Sequence, residues 1–427
     1  MYAKVFSLRG AGWCSYGNLR QLKVRRLQRS ARRTDPRHTV PALVADVLPL
    51  IFAELADADL ACCCLVTKRW TPLAQKELYR DQSFGWFTHF HSFEDAIRRH
   101  SHLRPLVESL ELHLNPATQD PDPPRPVQGS ELVSILRLTT HLKHLSIGNL
   151  VKLGGEDEGV EEAMANLTCL RSLYLWTNNA GEINSYDGAV LASLIDRWKD
   201  FSALKLKGMA FKTHDWTATT ICKAQLTSVD LFGALFTDDE LGWLLSSSAD
   251  SLTTLRHIEI PVRPLSSLLA GFAGLFGRPR SPPPPLPRIS STFLQSTLVT
   301  KIQHAHELSL GIESLTREAL ATILEATPSL RSLGIFFTAL SNDVLVHASS
   351  TLTTLRLYQL PKSEIVDENA TRDAVKLLET CALGEIERIV VWCVYTGSRY
   401  AGMEEETAAS CARREVEVVF RRRYFHE

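Results

Sequence analysis

The chain has 427 residues and a nearly balanced charge, with 47 Lys+Arg against 48 Asp+Glu. It is too long for one ordinary compact domain, and at 44% hydrophobic and 22% charged it is unlike a disordered or fibrous protein. No apolar run reaches the roughly 20 residues of a membrane helix. The nine cysteines form no CxxC pair, which suits reduced thiols in a cytoplasmic or nuclear protein.

Residues 1–39 hold ten basic residues and one acid, net +9, which leaves the remainder at net −10. Such a segment reads as a solvated tail, a nuclear-import patch around KVRRLQRSARR, or an organellar presequence. Residues 40–84 predict short helices, because apolar residues recur three and four apart at Leu48, Ile51, Phe52 and Leu55. Residues 85–105 predict a connecting helix. Residues 106–395 carry a repeat, and residues 396–427 form a C-terminal cap and tail with a strand-like EVEVVF.

The repeat is an apolar-x-x-Leu-x-Leu string. It occurs at Val107/Leu110/Leu112, Leu142/Leu145/Ile147, Leu170/Leu173/Leu175, Phe201/Leu204/Leu206 and Leu226/Val229/Leu231. It continues at Leu255/Ile258/Ile260, Ala305/Leu308/Leu310, Leu330/Leu333/Ile335, Leu352/Leu355/Leu357 and Ile386/Ile389/Val391. The alternating last two positions place both side chains on one face of a strand. Helical patterns at 187–198, 238–245 and 315–326 lie between strings, the second opened by a Thr237/Glu240 capping box. Strand, turn, helix and strand again predict an α/β leucine-rich-repeat solenoid with a curved parallel sheet and outer helices. The Asn expected three residues past the last Leu occurs only as Asn115 and Asn178, which predicts irregular turns elsewhere. Two proline-rich insertions, at 115–129 and 277–290, predict extended loops.

Residues 44–84 read VADVLPLIFAELADADLACCCLVTKRWTPLAQKELYRDQSF and resemble the F-box, a three-helix module. The likeness is carried by Asp46, Val47, Leu48, Ile51, Phe52, Leu55, Asp59, Leu60, Leu65, Val66, Trp70, Ala74, Leu78 and Tyr79. Two positions depart from it: Val44-Ala45 stands where the family has Leu-Pro, and the acid is Asp46 rather than Glu. Fungal F-box proteins with divergent leucine-rich repeats join module and array in a similar way. The resemblance implies docking on a Skp-type adaptor that bridges to a cullin-RING ubiquitin ligase. The implied adaptor-binding positions are Leu48, Ile51, Phe52, Leu55, Leu60, Leu65, Val66 and Trp70.

No P-loop, GxGxxG, GxSxG or HExxH motif occurs, so no catalytic residue or cofactor is expected. The pairs His89/His91, His100/His102 and His304/His306 lack further ligands at metal spacing, and no metal is expected. The acidic body carries no nucleic-acid footprint. The concave strand face is the expected site for a protein substrate. Its solvent-facing positions are Glu111, Ser146, Tyr174, Lys205, Asp230, Glu259, Ser309, Gly334, Arg356 and Val390. Tyr174, Trp176, Lys205, Asp230 and Arg356 are the candidates for substrate contact, by residue type. The competing expectation is a repeat scaffold acting outside any ligase.

Overall fold

The computed structural model describes residues 47–84, 87–113, 129–148, 158–177, 184–212, 221–234, 236–258, 289–312, 314–336, 339, 341–358, 386–394 and 417–423. The basic segment 1–39 and nearly all of both proline-rich insertions lie outside them. The chain divides into two compact units, one reaching Ser146 and including Glu162–Cys169, the other formed by Ile147–Glu161 and the residues from Leu170 on.

The first unit opens with three helices, α1 (Val47–Ala53), α2 (Asp57–Val66) and α3 (Thr71–Arg80). Pro72 starts α3, where a missing N–H costs nothing. The Thr71 hydroxyl ties that start to α2 by donating to the Cys64 carbonyl at 2.8 Å. Leu48, Phe52, Leu60, Ala61, Ala74, Leu78 and Tyr79 are buried and form the module's core. The Phe52 ring meets Trp70 edge-on at 5.7 Å.

The helical module ends sooner than the sequence predicts. Asp81–Phe84 is a strand, β1, that pairs in parallel with β2 (Ser109–His113), so that Gln82 faces Leu110 and Phe84 faces Leu112. Gln82 stands in a leucine slot and hides the repeat from the eye. Its buried amide is satisfied by the Leu78 carbonyl at 2.7 Å. Helix α4 (Phe87–Arg99) and a 3-10 turn (Ser101–Leu106) connect the two strands. Phe90, Phe93, Ala96 and Ile97 bury one face of α4, with Phe93 against Phe84 at 4.8 Å. Helix α5 (Gly129–Leu138) and strand β3 (His144–Gly148) follow, and then α6 (Glu158–Ala165).

The second unit contains β4 (Ser172–Trp176), β5 (Asn184–Asp187), α7 (Gly188–Arg197), β6 (Ala203–Lys207), β7 (Met209–Lys212), β8 (Ser228–Phe232), α8 (Asp238–Leu244) and β9 (Thr254–Ile258). Helix α9 follows as Ser291–Phe293, a π-turn over Leu294–Leu298, and Val299–Lys301. Then come β10 (Glu307–Gly311), α10 (Arg317–Ala326), β11 (Ser332–Phe336), α11 (Asn342–Leu345), β12 (Thr354–Tyr358), β13 (Arg388–Val394) and β14 (Glu417–Arg423). Strands β4, β6, β8, β9, β10, β11, β12, β13 and β14 pair in that order, every pair parallel. Strands β5 and β7 pair separately. The predicted α/β repeat architecture is thus present, and β14 carries it beyond residue 395.

Two rows of side chains point into the core. One is Leu173, Leu204, Val229, Leu255, Leu308, Leu333, Leu355 and Ile389; the other is Leu175, Leu206, Leu231, His257, Leu310, Ile335 and Leu357. All the described members are buried. Burial is worth about 1.5–3 kcal/mol for each large aliphatic side chain, so these rows contribute strongly to the favourable side of folding. The residue three places earlier (Leu170, Phe201, Leu226, Leu252, Ala305, Leu330, Leu352, Ile386) is buried with them.

Strand β9 corrects the predicted register. The string there is Leu252/Leu255/His257, not Leu255/Ile258/Ile260, because Leu255 pairs with Val229 and His257 with Leu231. His257 is fully buried in the leucine slot, edge-on to Phe236 at 6.4 Å.

Two turns among the described residues do without the Asn. Gly208 (φ 70°) and Gly233 (φ 62°) take the left-handed conformation after β6 and β8. Each then donates its N–H to the next strand's end, Gly208 to the Phe232 carbonyl at 2.9 Å and Gly233 to Ile258 at 2.7 Å. At the other strand end, one carbonyl accepts two successive N–H groups from the next repeat. Ser202 accepts from Thr227 and Ser228, Thr227 from Thr253 and Thr254, and Thr253 from His306 and Glu307. The backbone meets its own hydrogen-bonding needs where a side-chain Asn otherwise would.

The predicted capping box is present. Glu240 N–H donates to the Thr237 hydroxyl at 3.3 Å, and Thr237 N–H donates to the Glu240 carboxylate at 2.7 Å. Where the second proline-rich insertion ends, Ile289 is buried and Ser290 donates its N–H to Asp238 at 2.7 Å, fastening the start of α9 to that of α8.

Candidate interaction surfaces

Two surfaces stand apart from the cores. The first is on the helical module. The eight predicted adaptor-binding positions divide by burial: Leu48, Phe52 and Leu60 are buried, Leu55 and Trp70 are half-buried, and Ile51, Leu65 and Val66 are exposed. The buried three are core residues, because the periodicity that builds a helix face does not say which face meets another helix. Val47 and Leu50 are exposed as well. Val47, Leu50 and Ile51 lie at i, i+3 and i+4 and form an outward stripe on α1, with Leu50 69% exposed. Leu65 and Val66 end α2.

The second surface is the sheet face opposite the leucine rows in the second unit. One register row runs Tyr174, Lys205, Asp230, Arg256, Ser309, Gly334, Arg356, Val390. Four of the five predicted substrate-contact residues are in it. The fifth, Trp176, lies two residues on, but it is only 8% exposed and its ring covers Gly148, where a Cβ would stand 2.3 Å from it. Trp176 is therefore a floor rather than a free anchor. Glu259 lies outside the described residues, and Arg256 holds the position predicted for it.

The charges form a chain across the strands. Lys205 Nζ lies 3.6 Å from Asp230, and Arg256 lies 3.7 Å from the same carboxylate oxygen. Arg256 Nε and Nη2 both donate to Glu307 Oε1, at 3.0 and 2.7 Å. Arg356 reaches that oxygen from two strands away. Its lateral neighbour on β11 is Gly334. At the β4 end, Lys205 Nζ sits 4.5 Å above the Tyr174 ring and Lys207 Nζ 5.8 Å from the Trp176 ring. At the β12 end, the Tyr358 hydroxyl donates to Ser309 Oγ at 3.4 Å. Sequence reasoning missed Arg256 and Glu307. The octad SLTTLRHI at 251–258 nearly repeats TLTTLRLY at 351–358 and would have aligned Arg256 with Arg356.

Among the described residues no group of three or more His, Cys, Asp or Glu is placed to hold a metal ion. Among them, too, no helix is long and apolar enough to cross a membrane.

These features define a class: an α/β leucine-rich-repeat-type protein headed by a three-helix module. No protein-family model matches the chain, and no curated protein matches it in sequence. Among solved structures it is similar to a chain of the crystal structure of the Rad7 and Elc1 complex in yeast. The identity is 15% over 90% of this chain and 94% of that one, with a TM-score of 0.42.

Proposed function

We propose that this protein is the substrate-recognition subunit of a cullin-RING (SCF-type) ubiquitin ligase. In this reading it is a binding subunit with no catalytic group or cofactor. The three-helix module docks on a Skp-type adaptor, and the sheet face receives the target protein. The observation that supports the reading most is the exposed apolar set Val47, Leu50, Ile51, Leu65 and Val66 on an F-box-like module. An outward stripe on a surface helix is what a helix-in-groove partner covers.

The test is binding of the full chain to a purified Skp-type adaptor, with the double variant Leu50→Glu/Ile51→Glu as comparison. Micromolar or tighter binding, about −8 kcal/mol, that the double variant abolishes without unfolding supports the reading. The second reading, a scaffold outside any ligase, is favoured by Val44-Ala45 in place of Leu-Pro. It predicts no adaptor binding by the folded chain.

A further inference from the structure

We infer that the sheet face of the second unit takes an acidic segment of its protein partner, lying across the strands; this rests on the sheet face being the target-binding surface. Strands β4 to β12 present Lys205, Lys207, Arg256 and Arg356 against Asp230 and Glu307, a net of +2, on a chain whose residues after 39 sum to −10. The two signs also differ in exposure where Lys205 and Arg256 stand: their side chains are 45% and 36% exposed, whereas those of Asp230 and Glu307 are 16% and 20% exposed and that of Arg356 is 24%. The carboxylates orient the cations, and a ligand meets Lys205 and Arg256 first. Within one register row, buried Ser309 and Gly334 separate the strand positions of Arg256 and Arg356, and the Tyr358 side chain lies against both.

The spacing follows from the sheet. Lys205 and Arg256 are two strands apart, and Arg256 and Arg356 three. Their backbones are about 10 and 14 Å apart at about 4.8 Å per strand, but the charged groups converge: Lys205 and Arg256 meet on Asp230 Oδ2 at 3.6 and 3.7 Å, and Arg256 and Arg356 on Glu307 Oε1, so neighbouring cations stand within about 7 Å of each other. An extended segment with acidic groups at i, i+2 and i+4, which share one face about 7 Å apart, matches that spacing. Carboxylate and phosphate share this chemistry, so both are tested.

The experiment is fluorescence anisotropy of the full chain with labelled Gly/Ser peptides that carry Glu, phosphoserine, Gln or Lys at i, i+2 and i+4. The Glu or phosphoserine peptide is expected to bind at least about tenfold tighter than the Gln peptide and to weaken with salt. Whichever of the two binds tighter identifies the source of the anion. The variant Lys205→Glu/Arg356→Glu is expected to abolish the preference, and Lys205→Arg to keep it. Equal binding of the Glu, phosphoserine and Gln peptides, or tighter binding of the Lys peptide, overturns the inference. So does a single-stranded oligonucleotide that competes as well as the best peptide, since the face would then be a general polyanion surface. Adaptor binding measured on the same samples separates the two claims. Adaptor binding without a peptide preference removes only this inference; a peptide preference without adaptor binding removes only the ligase reading.

Discussion

Gly334→Ala tests how tightly the sheet face is built. Gly334 is buried on β11, and a Cβ there would lie 2.4 Å from Ser309 Oγ, 2.8 Å from Tyr358 Cε2 and 2.9 Å from Ser309 Cβ. None of these neighbours can withdraw freely, since Ser309 is fully buried and the Tyr358 hydroxyl donates to it. Overpacking of this kind costs about 1–3 kcal/mol, and a unit of this size loses about 2–4 °C per kcal/mol, so the melting temperature should fall by about 2–12 °C. Two of the three close atoms belong to Ser309. Adding Ser309→Gly should therefore restore part of the loss, although glycine in a strand itself costs about 0.5–1 kcal/mol. Thermal denaturation followed by circular dichroism on the four proteins of this cycle decides the point. A Gly334→Ala variant as stable as the parent, or a double variant whose loss is the full sum of the singles, would refute the packing argument.

Other expectations follow from the same geometry. Leu50→Glu on the exposed stripe should change stability by no more than about 0.5 kcal/mol, whereas Phe52→Ala in the module core should cost about 3–5 kcal/mol; urea denaturation compares them. Glu307→Gln removes the carboxylate shared by Arg256 and Arg356 and should cost about 1 kcal/mol, partial exposure keeping the loss small, with a chloride-dependent stability as the second readout. Burial pushes the thiols of Cys64 and Cys222 from the ordinary 9 up to about 11. A thiol reagent at pH 8 should therefore label exposed Cys62 before Cys64, and Cys222 only after unfolding. Both shifts are upward, so their contribution to stability is complete below pH 9 and is lost as pH rises toward about 11. Equilibrium unfolding between those limits should show the decline.

The strands were legible because leucine alternation is a strong signal where both inward slots are apolar. It failed where a polar residue fills a slot. His257 on β9 moved the apparent string three residues along, and Gln82 on β1 concealed a strand inside the helical module. In both cases tertiary context accepts a residue that the pattern rejects, His257 beside Phe236 and Gln82 on the Leu78 carbonyl. At the turns after β6 and β8 a left-handed glycine and backbone bonds suffice, which a rule about Asn side chains does not foresee. The sheet-face residues were chosen by type, and four of the five share a row because the strand period is two. Glu307 could not be found that way, since it enters the cluster from the neighbouring row, two residues before Ser309.

The central claim is that α1 and α2 are an adaptor-binding surface, and amide hydrogen exchange tests it most directly. The full chain is compared alone and with saturating Skp-type adaptor. The account predicts new protection over Val47–Ala53 and Asp57–Val66, absent in Leu50→Glu/Ile51→Glu, with the strands of the second unit unchanged. Unchanged exchange across both helices, in a chain shown to be folded, would contradict it.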